Sequence, residues 1–143
     1  MLTVGDDGNL REGVMERRNV GANRPWERIV GYSRAVRIGN HIEVSGTAAA
    51  GPDGAILSPG DVYGQTREAL RIIGDALREL GGSYADVVRT RILLADVSQW
   101  EEAGRAHGEV FSEIRPANTT CSVSGFVDKA ILVEIEVTAI LTA

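Results

Sequence analysis

The chain has 143 residues, of which 43% are hydrophobic and 24% are charged, and its formal net charge is −5. This length and composition are typical of a single folded domain, and they exclude a wholly disordered chain. The acidic balance argues against a protein that binds nucleic acid or an anionic membrane, because proteins that neutralise phosphates are usually basic.

Two further features of the sequence narrow the class of protein. The single cysteine, Cys121, cannot form an internal disulfide, and no Cys-x-x-Cys pair is present for a metal or redox site. No apolar run approaches the length of a membrane span, and the N-terminus lacks the apolar region of a signal peptide. We therefore expect a cytoplasmic protein that needs neither a disulfide nor a metal to fold.

The first residues of the chain carry no sustained hydrophobic period. We interpret residues 1–28 as a partly disordered N-terminal extension and residues 29–143 as a single domain. The first 14 residues have little apolar content to bury, so they are expected to be mobile and dispensable for the melting temperature.

A β-hairpin is predicted where the domain begins. Residues 35–38 and 41–45 are rich in β-forming residues, and the Gly39-Asn40 pair between them suits a two-residue type II′ turn. Strict alternation places Ile42, Val44 and Gly46 on one face of the second strand. The opposite face then carries His41, Glu43 and Ser45.

Two amphipathic helices follow. The first extends from the N-cap Asp61 to residue 80, and the glycine at position 81 ends it. The second is predicted to begin at a capping box of Ser98 and Glu101, and Pro116 forbids its continuation. A strand over residues 87–95 separates the two helices, with Val88, Thr90, Ile92 and Leu94 on one face and Val87, Arg89, Arg91 and Leu93 on the other.

Residues 119–126 and 131–141 are predicted as the last two strands, which completes the order β-β-α-β-α-β-β. Two helices can cover one face of such a sheet. The other face is too apolar for contact with solvent and too charged for a core, which indicates a subunit interface with polar pockets. Its polar members are Glu43, Ser45, Arg89, Arg91, Glu134 and Glu136.

Several blocks of sequence, in a fixed order, carry a resemblance to a known family. They are GYSRAV at 31–36, GN at 39–40, VSG at 44–46, QTREAL at 65–70, DVVRT at 86–90, RPA at 115–117 and LVEIE at 132–136. The chain resembles the Rid family of reactive-intermediate deaminases, also called the YjgF or endoribonuclease L-PSP family. The resemblance covers about residues 29–141.

The resemblance implies an α+β fold of the chorismate-mutase-like (YjgF-like) type, with two helices on one face of a mixed sheet. It also implies a homotrimer with a small-molecule cleft between each pair of subunits. Family members that are deaminases hydrolyse enamines and imines derived from amino acids. An arginine pairs with the substrate carboxylate, a glutamate positions the attacking water, and no metal or organic cofactor is needed.

Four blocks of the family site are matched in this chain. The resemblance assigns Tyr32 to the cleft wall, the backbone of Ser45 and Gly46 to the ligand, and Glu134 to the attacking water. Thr120 matches the small thiol or hydroxyl that follows the deaminase arginine. The catalytic residue of this prediction is Glu134, and the others bind substrate.

The deaminase arginine itself is missing. It belongs directly after residues 115–117, where this chain has Asn118. An amide can donate hydrogen bonds to a neutral ligand, but it cannot form the charged, bidentate pair that arginine forms with a carboxylate. The chain is therefore expected to be a divergent member that is weak on 2-imino acids, unless Arg34 or Arg115 supplies the cation.

Each of these residues also has an ordinary structural interpretation. Glu134 can be a surface carboxylate of an alternating strand, and Asn118 a residue of a turn or strand start. Glu136 is interpreted as an ion-pair partner of Arg89 or Arg91. His107 lies on the apolar stripe of the second helix and is assigned to the core.

Three classes of function remain at this stage. The leading one is an enzyme that hydrolyses or tautomerises an enamine-like, imine-like or carbonyl metabolite, with Glu134 positioning water. The alternative is a non-catalytic module that binds or senses a small metabolite in the same cleft. A ribonuclease is disfavoured by the acidic charge and by the lack of a basic, aromatic surface.

Overall fold

The computed structural model describes residues 2–4, 10–12 and 15–142. Its strands are β1 (Leu2–Val4), β2 (Leu10–Glu12), β3 (Arg17–Val20), β4 (Ala35–Ile38), β5 (His41–Thr47), β6 (Val87–Leu94), β7 (Ala117–Ser122) and β8 (Val133–Ile140). Its α-helices are α1 (Trp26–Val30), α2 (Val62–Glu79) and α3 (Trp100–Phe111). Among the described residues, no helix combines the length and the apolar character that crossing a membrane requires.

The main sheet has six strands in the order β3-β4-β5-β8-β6-β7. Its neighbours are antiparallel except β6 and β7, which are parallel, so the sheet is mixed. Gly39 has a φ of +61° in the turn between β4 and β5, as the first central residue of a type II′ turn requires. β1 and β2 form a separate antiparallel pair.

Helices α2 and α3 bury their apolar stripes against one face of this sheet. Leu70, Ile73 and Leu77 of α2 are fully buried, and Phe111 of α3 joins the same core. The Asp61 carboxylate accepts from the backbone N–H of Gly64, so the predicted N-cap of α2 is confirmed. An α+β domain with two helices on one face of a mixed sheet is therefore confirmed.

The sheet includes a strand formed by residues of the predicted N-terminal extension. Residues 17–20 form β3, an edge strand paired with β4, although residues 1–28 were predicted to be irregular. The strand has one buried residue, Val20, so it carries no hydrophobic alternation that a sequence pattern can detect. The prediction that residues 1–14 are mobile and dispensable falls largely outside the described residues and stays a prediction.

The predicted capping box before the second long helix is wrong. Ser98 donates its backbone N–H to the Asp96 carboxylate, which caps a short 3₁₀ helix over Val97–Gln99. Helix α3 begins only at Trp100, and its N-cap Gln99 makes no side-chain cap bond. The capping group of this segment is therefore the Asp96 carboxylate and not the Ser98 hydroxyl that was predicted.

Two β-bulges change the faces that simple alternation predicted. Val88 is the extra residue in β6, so Val87 is buried and Val88 is exposed, the reverse of the prediction. The second bulge lies in β5 between Val44 and Thr47. It moves Gly46 from the predicted core face to the polar face of the sheet, and it places Thr47 in the core.

The face of the sheet opposite the long helices carries half-buried polar and charged side chains. Arg91 and Glu136 form an ion pair of 3.5 Å across β6 and β8 on this face. Glu134 precedes Glu136 by two residues in β8, so it lies on the same face, and it is also half-buried. One layer of helices therefore leaves this polar face without a covering layer in a single chain.

Candidate functional site

A cleft of about 400 Å³ lies beside the bulge of β5. Its walls come from the segment around α1, from the start of β4, from the loop that follows β5 and from helix α2. At one end the polar lining consists of Tyr32, Arg34 and Glu134, with Gly46 beside them. Volumes of this order are typical of small-molecule sites.

The bulge in β5 places Gly46 on the face of the sheet that carries the Glu134 carboxylate. A Cβ atom at position 46 would lie 3.1 Å from the Oε2 atom of Glu134, closer than side chains normally approach. Glycine is therefore the residue that allows this carboxylate to lie against the strand. Bulges are common next to active sites because they redirect side chains and backbone groups.

Arg34 is the cation of this end of the cleft. Its Nη2 atom donates to the Gly46 carbonyl at 2.5 Å, and its buried Nε has no hydrogen-bond partner among the described residues. Burial lowers the pKa of the Arg34 guanidinium, whereas Tyr32, Glu134 and Glu27 act in the opposite direction. An arginine nevertheless stays charged in proteins, so this end of the cleft holds one fixed positive charge.

The Glu134 carboxyl has the properties of a group that can accept a proton. Burial raises the pKa of Glu134 above its ordinary value, Arg34 offsets part of that increase, and Glu136 adds to it. A carboxylate whose pKa is raised towards the working pH is a stronger base than an exposed one. Perturbed carboxyls in clefts of this kind are candidates for general bases.

Ser45, which was predicted to bind substrate, does not line the cleft of the single chain but supports the segment beside it. Its Oγ donates to the Ser33 carbonyl at 2.6 Å, and its backbone N–H donates to the Arg34 carbonyl at 3.0 Å. Both bonds fix the segment that carries Tyr32 and Arg34 against the bulge. The hydroxyl is thus committed to the scaffold.

Asn118 and Thr120 lie elsewhere in the chain. Through the strand register, Glu134 is opposite Leu93 and Leu93 is opposite Cys121, so β7 is two strands from Glu134, roughly 10 Å across the sheet. Asn118 also lies on the opposite face, because it bonds to the buried Thr90. A single chain therefore does not bring these two residues to the cleft.

A chain of hydrogen bonds holds the Asn118 amide. Its Nδ2 donates to the Thr90 hydroxyl at 3.0 Å, its Oδ1 accepts from the Thr120 hydroxyl at 2.8 Å, and Thr90 lies 2.8 Å from Nε2 of His107. Burial lowers the pKa of His107, which favours a neutral imidazole in this arrangement. Arg115, the other candidate cation, is exposed and has a φ of +52°.

Comparison with known proteins settles the family. A family model described as Endoribonuclease L-PSP matches residues 22–141. The chain belongs to this family, which is also called YjgF or Rid. The resemblance drawn from the sequence blocks is confirmed, and with it the fold type.

Three similar proteins show the range of the family, and one of them is named as a deaminase. A solved structure of a YjgF/YER057c/UK114 family member from Mycobacterium tuberculosis has a TM-score of 0.80 and 42% identity, covering 88% of this chain and 100% of that one. An uncharacterized protein from Streptomyces coelicolor is 39% identical over 122 residues, which are 85% of this chain and 90% of that protein. The 2-iminobutanoate/2-iminopropanoate deaminase of Mus musculus is 30% identical over 109 residues, 76% of this chain and 80% of the deaminase.

Sequence reasoning missed part of the lining. The segment 48–60 was predicted as a surface loop, but Ala48, Ala50 and Ile56 from it form a wall of the cleft. Trp26 of α1 lines the cleft as well, although its segment was assigned to an irregular extension. Turn signals mark such loops correctly, but they do not tell which surface the loop covers.

Within the described residues, no group of three or more His, Cys, Asp or Glu side chains is placed to hold a metal ion.

Proposed function

We propose that the protein is a hydrolase of enamine-like or imine-like metabolites, with Glu134 as the group that positions and deprotonates the attacking water. The observation that carries this proposal is the half-buried Glu134 carboxyl with its raised pKa, held at the β5 bulge beside Arg34 and Tyr32. The deaminase name of the 30% identical relative supports the same class of reaction.

The proposed reaction consumes one water and releases ammonia. The water oxygen forms a bond to the imine carbon while one of its protons passes to the Glu134 carboxylate, and the C=N bond becomes a C–N bond. Glu134 then delivers this proton to the nitrogen, which gives a carbinolamine with one hydroxyl and one amino group. The remaining hydroxyl proton is transferred to the nitrogen through the Glu134 carboxylate, so the C–N bond breaks and ammonia leaves as the C=O bond forms. Tyr32 and the Gly46 backbone line the position of the reacting atoms.

The charges of the cleft favour a substrate without a carboxylate. The charged residues of the lining comprise three arginines and four acidic residues, namely Arg24, Arg34, Arg71, Asp75, Glu79, Asp128 and Glu134. Arg71 is already paired with Glu68 and Asp75. No excess of positive charge is thus available, and Asn118 adds none, so 2-imino acids are expected to be poor substrates.

We also propose that the protein works as a homotrimer in which Asn118 and Thr120 of one copy complete the cleft of the next. The polar face of the sheet, which is uncovered in one chain, supports association of copies. Asn118 and Thr120 are accessible to a second copy because they lie on the edge strand β7. Size-exclusion chromatography with light scattering is expected to give about three times the 15.3 kDa chain mass. A stable monomer at micromolar concentration would contradict the proposal.

The central test compares the intact protein with Glu134→Gln, which keeps the shape of the side chain but cannot accept a proton. The substrates are imines generated in the assay from neutral amines and from amino acids. We expect the intact protein to exceed spontaneous hydrolysis and the variant to lose most of the excess, about 10²-fold or more. Equal rates with and without protein would favour the alternative, a non-catalytic binding module.

A further inference from the structure

The cleft extends well beyond the polar end that the proposed reaction uses. Its other walls carry the large apolar side chains of Trp26, Ile56, Ile72, Val127 and Ile131. Trp26 keeps 48% of its surface exposed and Val127 keeps 97%, whereas Ile131 is 6% exposed and belongs to the core. Large apolar groups that converge on a cleft and stay accessible are the usual lining of a ligand site rather than part of a core.

A hydrogen bond from Arg24 connects two of these apolar walls. The Nη2 atom of Arg24 donates to the Gly51 carbonyl at 2.8 Å, which connects the segment before Trp26 to the loop that carries Ile56. Gly54 has a φ of +87°, and a Cβ there would lie 3.0 Å from Nη1 of Arg24. The arginine thus lies across the loop, and the apolar part of the cleft is preformed.

The size of the cleft indicates more than the smallest imines. About 400 Å³ is within the range of sites that enclose ligands of drug size. An imine with a methyl or ethyl side chain would fill only the end near Glu134, and water would remain against Trp26. An apolar side chain would displace that water favourably.

We propose that the substrate carries a branched aliphatic or aromatic side chain that packs against Trp26, Ile56 and Ile72, while its imine or carbonyl group lies at Arg34 and Glu134. The identity of the reacting group rests on the proposed function. The preference for an apolar side chain does not, because it follows from the walls of the cleft alone.

The two tryptophans of the chain allow a direct binding test. Trp100, which is 54% exposed on α3, does not line the cleft, whereas Trp26 does. In Trp100→Phe, Trp26 is the remaining indole, so its fluorescence reports occupancy of the cleft. Titration with phenylacetamide and 4-methylpentanamide is expected to give saturable changes, with acetamide binding at least about tenfold more weakly.

Matched variants separate a cleft effect from a general one. Trp26→Ala is expected to weaken binding of phenylacetamide by at least about tenfold when measured by calorimetry, and Trp100→Ala to leave it unchanged. In Trp26→Phe, the remaining Trp100 is expected to give no saturable signal. Thermal denaturation of each variant shows that the comparison is made between folded proteins.

Three results would overturn the inference: no saturable binding of any amide, equal affinity for acetamide and phenylacetamide, or the same loss in Trp100→Ala as in Trp26→Ala. A failure of the proposed function gives a different combination of binding and hydrolysis results. If the apolar amides bind as expected but Glu134→Gln leaves imine hydrolysis unchanged, the cleft preference stands and the reaction does not. If imines generated from the neutral amines ethylamine and 3-methylbutylamine are hydrolysed equally well, the reaction stands and the preference is wrong.

Discussion

Replacing Asn118 by arginine is expected to raise kcat/KM for a 2-imino acid by about one to two orders of magnitude. A hydrogen bond to a charged group contributes roughly 1.5–3 kcal/mol, and about 1.36 kcal/mol corresponds to a tenfold change in rate. The rate is measured above spontaneous hydrolysis, on an imine generated in the cuvette from an amino acid. Asn118 is exposed on the edge strand β7 of a single chain, and in the proposed trimer the longer arginine side chain would extend into the cleft of the neighbouring copy.

The controls for this variant separate charge from size and from fold. Asn118→Gln lengthens the side chain without adding charge and is expected to gain nothing. Asn118→Arg combined with Glu134→Gln is expected to lose the gained activity, because the water-positioning carboxylate is gone. Both variants also change the bonds to Thr90 and Thr120, so their melting temperatures are compared with that of the unmodified protein.

Two results would show that the assignment of residue 118 is wrong. If the unmodified protein is already fast on 2-imino acids, another cation binds the carboxylate, and Arg34 in the cleft is the first to test. If neither the unmodified protein nor Asn118→Arg accelerates the reaction, the cleft has diverged at more than one position. The non-catalytic binding module would then explain the site better.

The elements best predicted from sequence are those whose burial has a regular period. Helix α2 shows a continuous apolar stripe with an Asp61 cap and a glycine at position 81, where the φ is +84°. Strand β8 alternates without interruption from Val133 to Ala139. In both elements a local rule and the tertiary packing favour the same structure, so the sequence pattern is sufficient.

The position of Gly46 shows where a periodic rule fails. Alternation along β5 assigned it to the core with Val44, but one extra residue in the strand reverses the assignment. The bulge depends on pairing with β8, more than 85 residues away in the chain, and no local signal identifies it. The residue next to the proposed base was therefore named from the family resemblance, while its orientation required the structure.

Arg34 is a related case, because its role depends on contacts from three separate elements. It precedes β4, bonds to the bulge of β5 and acts on a carboxyl of β8. A sequence gives no indication that an arginine will be buried, since most arginines are exposed. In the structure, the charge of Arg34 favours the ionised form of Glu134.

Removing this charge is expected to move the pH dependence of catalysis. Glu134 must be ionised to accept a proton, so activity rises with pH through its pKa. Burial has already raised that pKa, and Arg34 opposes the increase. Arg34→Gln therefore raises the pKa of Glu134 further, and the acid limb of the kcat/KM profile shifts to higher pH. A carbon-13 NMR titration of the Glu134 carboxyl measures the same shift without substrate.

Two variants distinguish the charge of Arg34 from its packing. Arg34→Lys keeps the charge and is expected to shift the acid limb less than Arg34→Gln. Arg24→Gln removes a second cleft arginine that bonds to the Gly51 carbonyl and does not contribute to the pKa of Glu134, so its acid limb is expected to stay in place.

Glu136, the other charge acting on Glu134, opposes its ionisation, so Glu136→Gln is expected to shift the limb to lower pH. An unchanged profile in Arg34→Gln, or equal shifts in the glutamine and lysine variants, would mean that Arg34 only supports the strand. The opposite signs expected for Arg34 and Glu136 are a result that a general loss of packing would not produce.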